Sequence, residues 1–204
     1  MTVRAEPPRA LRCRWVVAGK VPIAIDMTST VLSKCELRAD KPDRDTFLNR
    51  PRRPIRMILD GVTGSYNIGA VFRLCDALLV ERLIICAPSF VLRKRRIIQA
   101  AQGAQNWVPW EHIISVEQAV AEARESGFQI VAAELTSTSI SPERYVPQFP
   151  VCVVIGGERL GVSPTVVANA DVTLAIPMHG MSNSLNLATA AAIILYEIGK
   201  HASG

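Results

Sequence analysis

The chain has 204 residues, of which 49% are hydrophobic and 20% are charged, and its formal net charge is +5 at pH 7. This composition predicts a folded domain with a sizeable apolar core and excludes an intrinsically disordered chain. No eighteen consecutive apolar residues occur without a charge, so we expect no transmembrane helix and no membrane partner.

The positive charge is concentrated in residues 1–53. This segment has 12 Lys and Arg residues against 6 Asp and Glu residues, whereas the remainder has 11 against 12. Because its prolines are scattered and no periodicity is sustained, we expect a partly ordered basic extension, followed by one domain at 54–204. A basic extension on a nearly neutral body suits a polyanionic partner, although a solvated extension without a partner accounts for the charge equally well.

From residue 54 onward, short apolar runs alternate with segments of helical periodicity. The predicted strands are 56–60, 82–87, 129–135, 151–155 and 171–176. The predicted helices are 68–78, 97–105, 116–126 and 184–200. Strands that are apolar throughout are buried on both faces, and helices between them allow parallel pairing. The chain is therefore predicted to be α/β, with a parallel sheet and helices on both faces.

The cysteines and histidines argue against disulfides and metal sites. The five cysteines, at positions 13, 35, 75, 86 and 152, are odd in number, form no C-x-x-C pair, and in three cases lie in apolar runs. We therefore expect buried free thiols and a location in the reducing cytoplasm. The three histidines, at positions 112, 179 and 201, are too scattered for a metal site, so no metal is expected.

Three polar clusters, at 67–73, 156–161 and 176–188, follow predicted strands. Each has a purely structural interpretation, with Asn67 and Ser184 as helix N-caps and the glycines at 156 and 157 as a tight turn. In an open parallel sheet, however, ligands bind at the carboxyl ends of the strands. Three such clusters at successive strand ends favour one shared site.

Several common nucleotide and hydrolase motifs are missing from the sequence. No G-x-G-x-x-G follows the first strand, which disfavours a nucleotide-binding oxidoreductase. No G-x-x-x-x-G-K-[ST] occurs, which excludes a P-loop, and no G-x-S-x-G occurs, which disfavours an α/β-hydrolase. The clusters therefore belong to another class of site.

The three clusters resemble motifs 1 to 3 of the SpoU family of knotted (SPOUT) RNA methyltransferases. Residues 67–73 resemble N-[IL]-G-[AS]-x-x-R, and residues 156–161 resemble G-x-E-x-x-G. Residues 176–187 resemble I-P-M-x-G-x-x-x-S-L-N-[VL]. The motifs occur in the family's order and spacing over about residues 54–199, and the third is most similar to the TrmH-like branch.

This resemblance implies a SPOUT fold with a deep C-terminal trefoil knot, a rare exception to the rule against knots, and a homodimer. It also implies S-adenosylmethionine as the cofactor. The residues implied to contact the cofactor are Leu135, Gly156, Gly157, Ile176, Met178 and Leu185. The residues implied to act in catalysis are Arg73, Asn67, Glu158, Ser184 and Asn186.

The implied reaction is methyl transfer to a ribose 2′-hydroxyl of tRNA or rRNA. The extension does not resemble the small RNA-binding domain of many rRNA-modifying relatives, which favours tRNA. Arg93, Lys94, Arg95 and Arg96 are expected to contact RNA phosphates, whereas Trp107 and Trp110 either stack on bases or pack in the fold. The main alternative is a knotted RNA-binding protein without catalytic activity.

Overall fold

The structure is a computed structural model that describes residues 31–33, 35–39, 41–92 and 95–202. Most of the expected extension, residues 1–30, lies outside the described residues. The chain divides into two compact units, Met1–Asp43 and Arg44–Gly204. Helix α1 (Glu36–Ala39) belongs to the first unit, and every other helix and strand given below belongs to the second.

Six strands of the second unit form one sheet. They are β1 (Arg53–Asp60), β2 (Val80–Cys86), β3 (Trp110–Ile113), β4 (Gln129–Ala133), β5 (Val151–Gly156) and β6 (Val172–Leu174). Their order is β3-β2-β1-β5-β4-β6, and every neighbouring pair is parallel, which confirms the predicted α/β class. Strand β3 was not predicted, because this four-residue edge strand has no fully buried position and no apolar run.

The helices of the second unit are mostly amphipathic segments between strands. They are α2 (Arg44–Leu48), α3 (Ser65–Ala77), α4 (Arg95–Ala101), α5 (Val116–Glu125), α6 (Pro164–Asn169) and α7 (Leu187–Gly199). Short 3-10 turns occur at Ala104–Asn106 and Pro142–Arg144. Helix α6 was not predicted because its six residues are too few to show a helical period.

Side chains that alternate along the strands form two apolar layers, one on each face of the sheet. Met57 and Leu59 of β1 pack in the layer that contains buried residues of α3, α4 and α7. Ile58 of β1 and Val154 of β5 pack in the layer that contains buried residues of α5 and α6. Helices therefore cover both faces, as predicted.

The sheet has a topological switch point between β1 and β5. From β1 the chain continues to β2 on one side, whereas from β5 it continues past β4 to β6 on the other side. The loops after these two strands therefore diverge and leave a crevice at their carboxyl ends, which is where ligands bind in open α/β sheets. The register places Asp60 opposite Gly156 at the base of this crevice.

Three of the cysteines, Cys75, Cys86 and Cys152, are buried free thiols, as expected. Burial raises the pKa of Cys86 and of Cys152 to about 12, so both thiols are protonated and unreactive at neutral pH. The expectation is wrong for Cys35, which is exposed in the first unit, and Cys13 lies outside the described residues.

Two features of the described residues bear on membranes and metal ions. No helix in this part of the chain is long and apolar enough to cross a bilayer. Within the same residues, His, Cys, Asp and Glu side chains nowhere form a group of three or more that could hold a metal ion. The expected absence of a metal stays a prediction.

The contact between α3 and α4 gives a test of the packing. A Cβ added at Gly69 lies 2.5 Å from the Cβ of Ala100 and 2.6 Å from the carbonyl oxygen of Ile97. Gly69→Ala should therefore lower the free energy of unfolding by about 1–3 kcal/mol, since overpacking outweighs the higher helix propensity of alanine. Urea unfolding measures the change.

The matched control is Gly180→Ala, because a Cβ added at Gly180 meets no atom within 4 Å. We expect this variant to unfold at nearly the urea concentration of the wild type. Equal stability of the two variants would contradict the close packing of α3 against α4.

Candidate functional site

A cavity of about 930 Å³ lies at the carboxyl edge of the sheet. Its walls are formed by the residues that follow β4, β5 and β6 and by the first turns of α7. The lining includes every residue expected to contact the cofactor, namely Leu135, Gly156, Gly157, Ile176, Met178 and Leu185. The structure therefore brings these six residues to one place, and their role in binding stays a prediction.

Three of the expected catalytic residues form one hydrogen-bonded network. The Nδ2 of Asn67 donates to Oε1 of Glu158 at 2.7 Å. The Nδ2 of Asn186 donates to the same carboxylate oxygen at 3.3 Å and to Oδ1 of Asn67 at 3.0 Å. Glu158 thus accepts two amide donors, and the network joins α3, the loop after β5 and the start of α7.

The local structure explains why these side chains meet. Asn67 is the third residue of α3 and is only 6% exposed, so its side chain points into the protein instead of capping the helix. Asn186 is the N-cap of α7, and its Oδ1 accepts a hydrogen bond from the backbone N–H of Ala188. This cap fixes the amide plane, so that its Nδ2 faces Asn67 and Glu158.

The loop after β5 depends on close backbone contacts at its glycines. A Cβ at Gly156 lies 1.9 Å from the carbonyl carbon of Gly161, a distance that no side chain tolerates. Gly161 has a φ of +66°, in the left-handed region that favours glycine. The glycines therefore form a compact turn, and this turn lies against the cavity and carries Glu158.

The two other expected catalytic residues lie outside the network. Arg73 is exposed on α3, six residues after Asn67. Ser184 is exposed and lines the cavity together with Glu158. Ser184 is not the N-cap of α7, since Asn186 has that position. Neither Arg73 nor Ser184 makes a side-chain hydrogen bond within the described part of the chain.

The residues expected to bind RNA are only partly described. Arg95 and Arg96 are exposed at the start of α4, which follows the carboxyl end of β2, whereas Arg93 and Lys94 lie outside the described residues. The tryptophans instead pack within the fold. The ring of Trp110 makes edge contacts with Phe72 and Phe90, and Trp107 makes one with Phe47.

Two carboxylates near the cavity were missed from the sequence. Asp60, at the end of β1, accepts a hydrogen bond from the backbone N–H of Ser163, and Glu134, just after β4, accepts one from that of Val162. An acidic residue directly at the end of an apolar strand was the available signal. This signal is not specific, because acidic residues also occur in ordinary turns.

The cavity fits S-adenosylmethionine in size and chemistry. Its volume lies within the range of about 300–1,000 Å³ for small-molecule sites. Apolar side chains such as Leu135 and Leu187 suit an adenine ring, and glycine backbone allows close approach. The carboxylates of Glu134 and Glu158, which also line the cavity, complement a cationic sulfonium and ammonium group.

Comparison with known proteins agrees with this geometry. Residues 54–196 match the SpoU rRNA Methylase family. The tRNA (guanosine(18)-2′-O)-methyltransferase of Aquifex aeolicus (strain VF5) is 35% identical over 151 residues, which cover 74% of this chain and 71% of that protein. The protein of the same name from Escherichia coli (strain K12) is 31% identical over 151 residues, covering 74% of this chain and 65% of that protein.

A solved structure is similar over much the same region. The AdoMet-bound rRNA methyltransferase from Sinorhizobium meliloti has a TM-score of 0.68 and 25% identity, with 76% of this chain and 60% of that chain covered. The chain thus spans less than two thirds of two of these three relatives. The family match nevertheless includes β2 to β6, all of β1 except Arg53, and all three polar clusters. The chain belongs to the SpoU rRNA methylase family.

Proposed function

We propose that this chain is an S-adenosylmethionine-dependent RNA methyltransferase that methylates a ribose 2′-hydroxyl of tRNA or rRNA. The observation that carries the proposal is the network of Asn67, Glu158 and Asn186 beside the cavity at the switch point. The names of the relatives from A. aeolicus and E. coli support ribose 2′-oxygen as the acceptor and tRNA as the substrate.

The cofactor's role follows from its chemistry. When bound, S-adenosylmethionine supplies a methyl carbon that the ribose 2′-oxygen attacks in line with the departing sulfur. The backbone around Leu135, Gly156 and Gly157 would hold it, together with Ile176, Met178 and Leu185 of the loop between β6 and α7. The protein holds both reactants in the geometry of attack. Positioning of this kind accounts for a large part of the rate enhancement that an enzyme gives to a reaction between two bound groups.

Arg73 is assigned an electrostatic role. A guanidinium keeps its proton at neutral pH, which makes it a poor general base. We assign it instead to the phosphate next to the target ribose, where its charge also stabilises the developing alkoxide. Asn67 and Glu158 are assigned to the ribose side of the site, and Ser184 and Asn186 orient the substrate and the loop that precedes α7.

Two alternatives are disfavoured by particular residues. A knotted RNA-binding protein without activity has no need for a buried amide such as Asn67 that bonds a carboxylate at the cavity. A nucleotide-binding oxidoreductase lacks its glycine fingerprint after β1. Calorimetry with S-adenosylmethionine and with NAD distinguishes the second alternative from the proposed function.

The knot, the dimer and the cytoplasmic location complete the proposal. In a deep trefoil knot, the segment that precedes α7 would thread through a loop of the chain. Its place beside the loops after β4 and β5 supports this arrangement.

A homodimer is supported by apolar exposure on α7, where Ile193 is 37% and Tyr196 is 48% exposed. The cytoplasmic location stays a prediction.

Removal of the positively charged side chain of Arg73 on α3 tests the proposed reaction. Arg73→Ala should lower methyl transfer to RNA by at least about 100-fold, because the developing charge loses its donor. Its affinity for S-adenosylmethionine should stay nearly unchanged, since Arg73 does not line the cavity. Transfer of labelled methyl to total tRNA and rRNA measures the first quantity, and calorimetry measures the second.

The control is Arg82→Ala, which removes another exposed arginine. Arg82 lies near the amino end of β2, and its partner is Glu111. This variant should retain activity. A fully active Arg73→Ala enzyme would show that the assignment is wrong.

Removal of the basic segment tests its contribution to RNA binding. A chain lacking residues 1–43 should show a higher apparent KM for RNA with a smaller change in kcat, because fewer phosphates are neutralised. The dependence of RNA affinity on salt should also become less steep. An unchanged KM and salt dependence would exclude a role for the segment in RNA binding.

A charge on α7 tests the proposed homodimer. Ile193→Asp should convert the protein from dimer to monomer in sedimentation experiments, because a buried carboxylate without a partner is strongly disfavoured in an interface. The matched control is Ile98→Asp on α4, where the isoleucine is also exposed. If both variants remain dimeric, the dimer interface lies elsewhere.

A further inference from the structure

Two carboxylates stand on either side of strand β5. Asp60 is the last residue of β1, and Glu134 directly follows β4. Strand β5 lies between these two strands and pairs with both. The segment 157–163, here called the β5–α6 loop, therefore leaves β5 between two acidic side chains.

Both carboxylates accept hydrogen bonds from the end of the β5–α6 loop. The backbone N–H of Val162 donates to Oε2 of Glu134 at 2.9 Å, and that of Ser163 donates to Oδ2 of Asp60 at 2.7 Å. The start of the loop is fixed as well, because the N–H of Gly157 donates to the carbonyl oxygen of Asp60 at 2.9 Å. Asp60 thus holds both ends of the loop.

The middle of the loop projects from this base. The N–H of Gly161 donates to the carbonyl oxygen of Gly157 at 2.9 Å, which closes a short turn with Glu158 near its tip. The next two residues, Arg159 and Leu160, are exposed, and Leu160 is 92% exposed. Among the described residues, the tip is therefore held by its base and by the hydrogen bonds of Glu158 to the two asparagines.

Both carboxylates are suited to this task by their charge, and Asp60 also by its burial. A hydrogen bond from a backbone N–H to a carboxylate is shorter and stronger than one between neutral groups. Asp60 is only 7% exposed, so its bond to Ser163 is protected from competition with water. Gly161 fits closely beside the other carboxylate, since a Cβ there would lie 2.2 Å from Oε2 of Glu134.

We propose that Asp60 and Glu134 are positioning residues that fix the β5–α6 loop so that Glu158 faces Asn67 and Asn186. The proposal rests on the proposed function, because the reaction that it serves is methyl transfer. The two residues differ in one respect: Glu134 lines the cavity, whereas Asp60 does not. Asp60 therefore affects turnover, and Glu134 affects both turnover and cofactor binding.

Alanine and amide variants separate these effects. Asp60→Ala should lower kcat on the order of 10- to 100-fold, the expected cost of a small misplacement of reacting groups, with little change in the Kd of S-adenosylmethionine. Glu134→Ala should lower kcat and also raise that Kd. Asp60→Asn and Glu134→Gln should recover much of the kcat, because the single amide oxygen of each can still accept the hydrogen bond from Ser163 or Val162.

A structural control is available at the amino ends of the strands, whereas the cavity lies at their carboxyl ends. Asp171 immediately precedes β6, and its Oδ2 accepts a hydrogen bond from the backbone N–H of Ile130 at 2.6 Å. Asp171→Ala therefore removes a carboxylate that accepts a backbone hydrogen bond and also pairs with Arg124, and Asp171 does not line the cavity. This variant should lose thermal stability and keep its kcat.

Hydrogen exchange gives a measurement that does not depend on activity. The amides of Val162 and Ser163 should exchange faster in the corresponding alanine variants, whereas amides in the middle of β1 should keep their protection. Exchange at Val162 and Ser163 that is equal in the wild type and the variants would contradict the hydrogen bonds on which the proposal rests.

The outcomes separate the two proposals. If the wild type methylates RNA and Asp60→Ala loses no more kcat than Asp171→Ala, the positioning role is wrong and the proposed function stands. If the wild type binds no S-adenosylmethionine and methylates no RNA, the proposed function fails, and the positioning role fails with it. The wild-type measurement therefore tests the proposed function, and the comparison of Asp60→Ala with Asp171→Ala tests the positioning role.

Discussion

A buried amide needs a partner for each of its polar atoms, and the site depends on this requirement at Asn67. Asn67 is only 6% exposed, so either polar atom of its amide would cost about 1–3 kcal/mol if it were left without a partner. Glu158 satisfies the donor and Asn186 satisfies the acceptor. Because these partners lie 91 and 119 residues further along the chain, one buried side chain brings together three distant segments.

The parallel sheet makes this meeting possible. All six strands end at the same edge, so each polar cluster that follows a strand reaches a common region without long connections. The residues that hold the loop after β5 belong to the strands on either side of it, Asp60 to β1 and Glu134 to the end of β4. The apolar layers fix the sheet, and the hydrogen bonds at its edge fix the loops.

The amino-acid sequence predicted the α/β class and most of the strands and helices, because apolar periodicity is a local signal. The family resemblance of the three motifs implied six of the residues that line the cavity. The sequence did not predict β3 or α6, whose four and six residues are too few for a period. The hydrogen bonds of Asp60 and Glu134 escaped prediction for another reason. Their donors, Ser163 and Val162, are 103 and 28 residues away, and no local pattern encodes such pairings.

Helix α3 combines three environments within seven residues. Asn67 is buried and faces Glu158 and Asn186, Gly69 packs against α4, and Arg73 faces solvent. Each residue of a helix is turned by about 100° from the one before it, so one inserted residue between Asn67 and Arg73 would rotate the arginine by that angle and advance it by about 1.5 Å. A substitution changes one side chain at a time. An insertion between Asn67 and Arg73 would instead turn the guanidinium of Arg73 away from its present direction, even though every residue is retained.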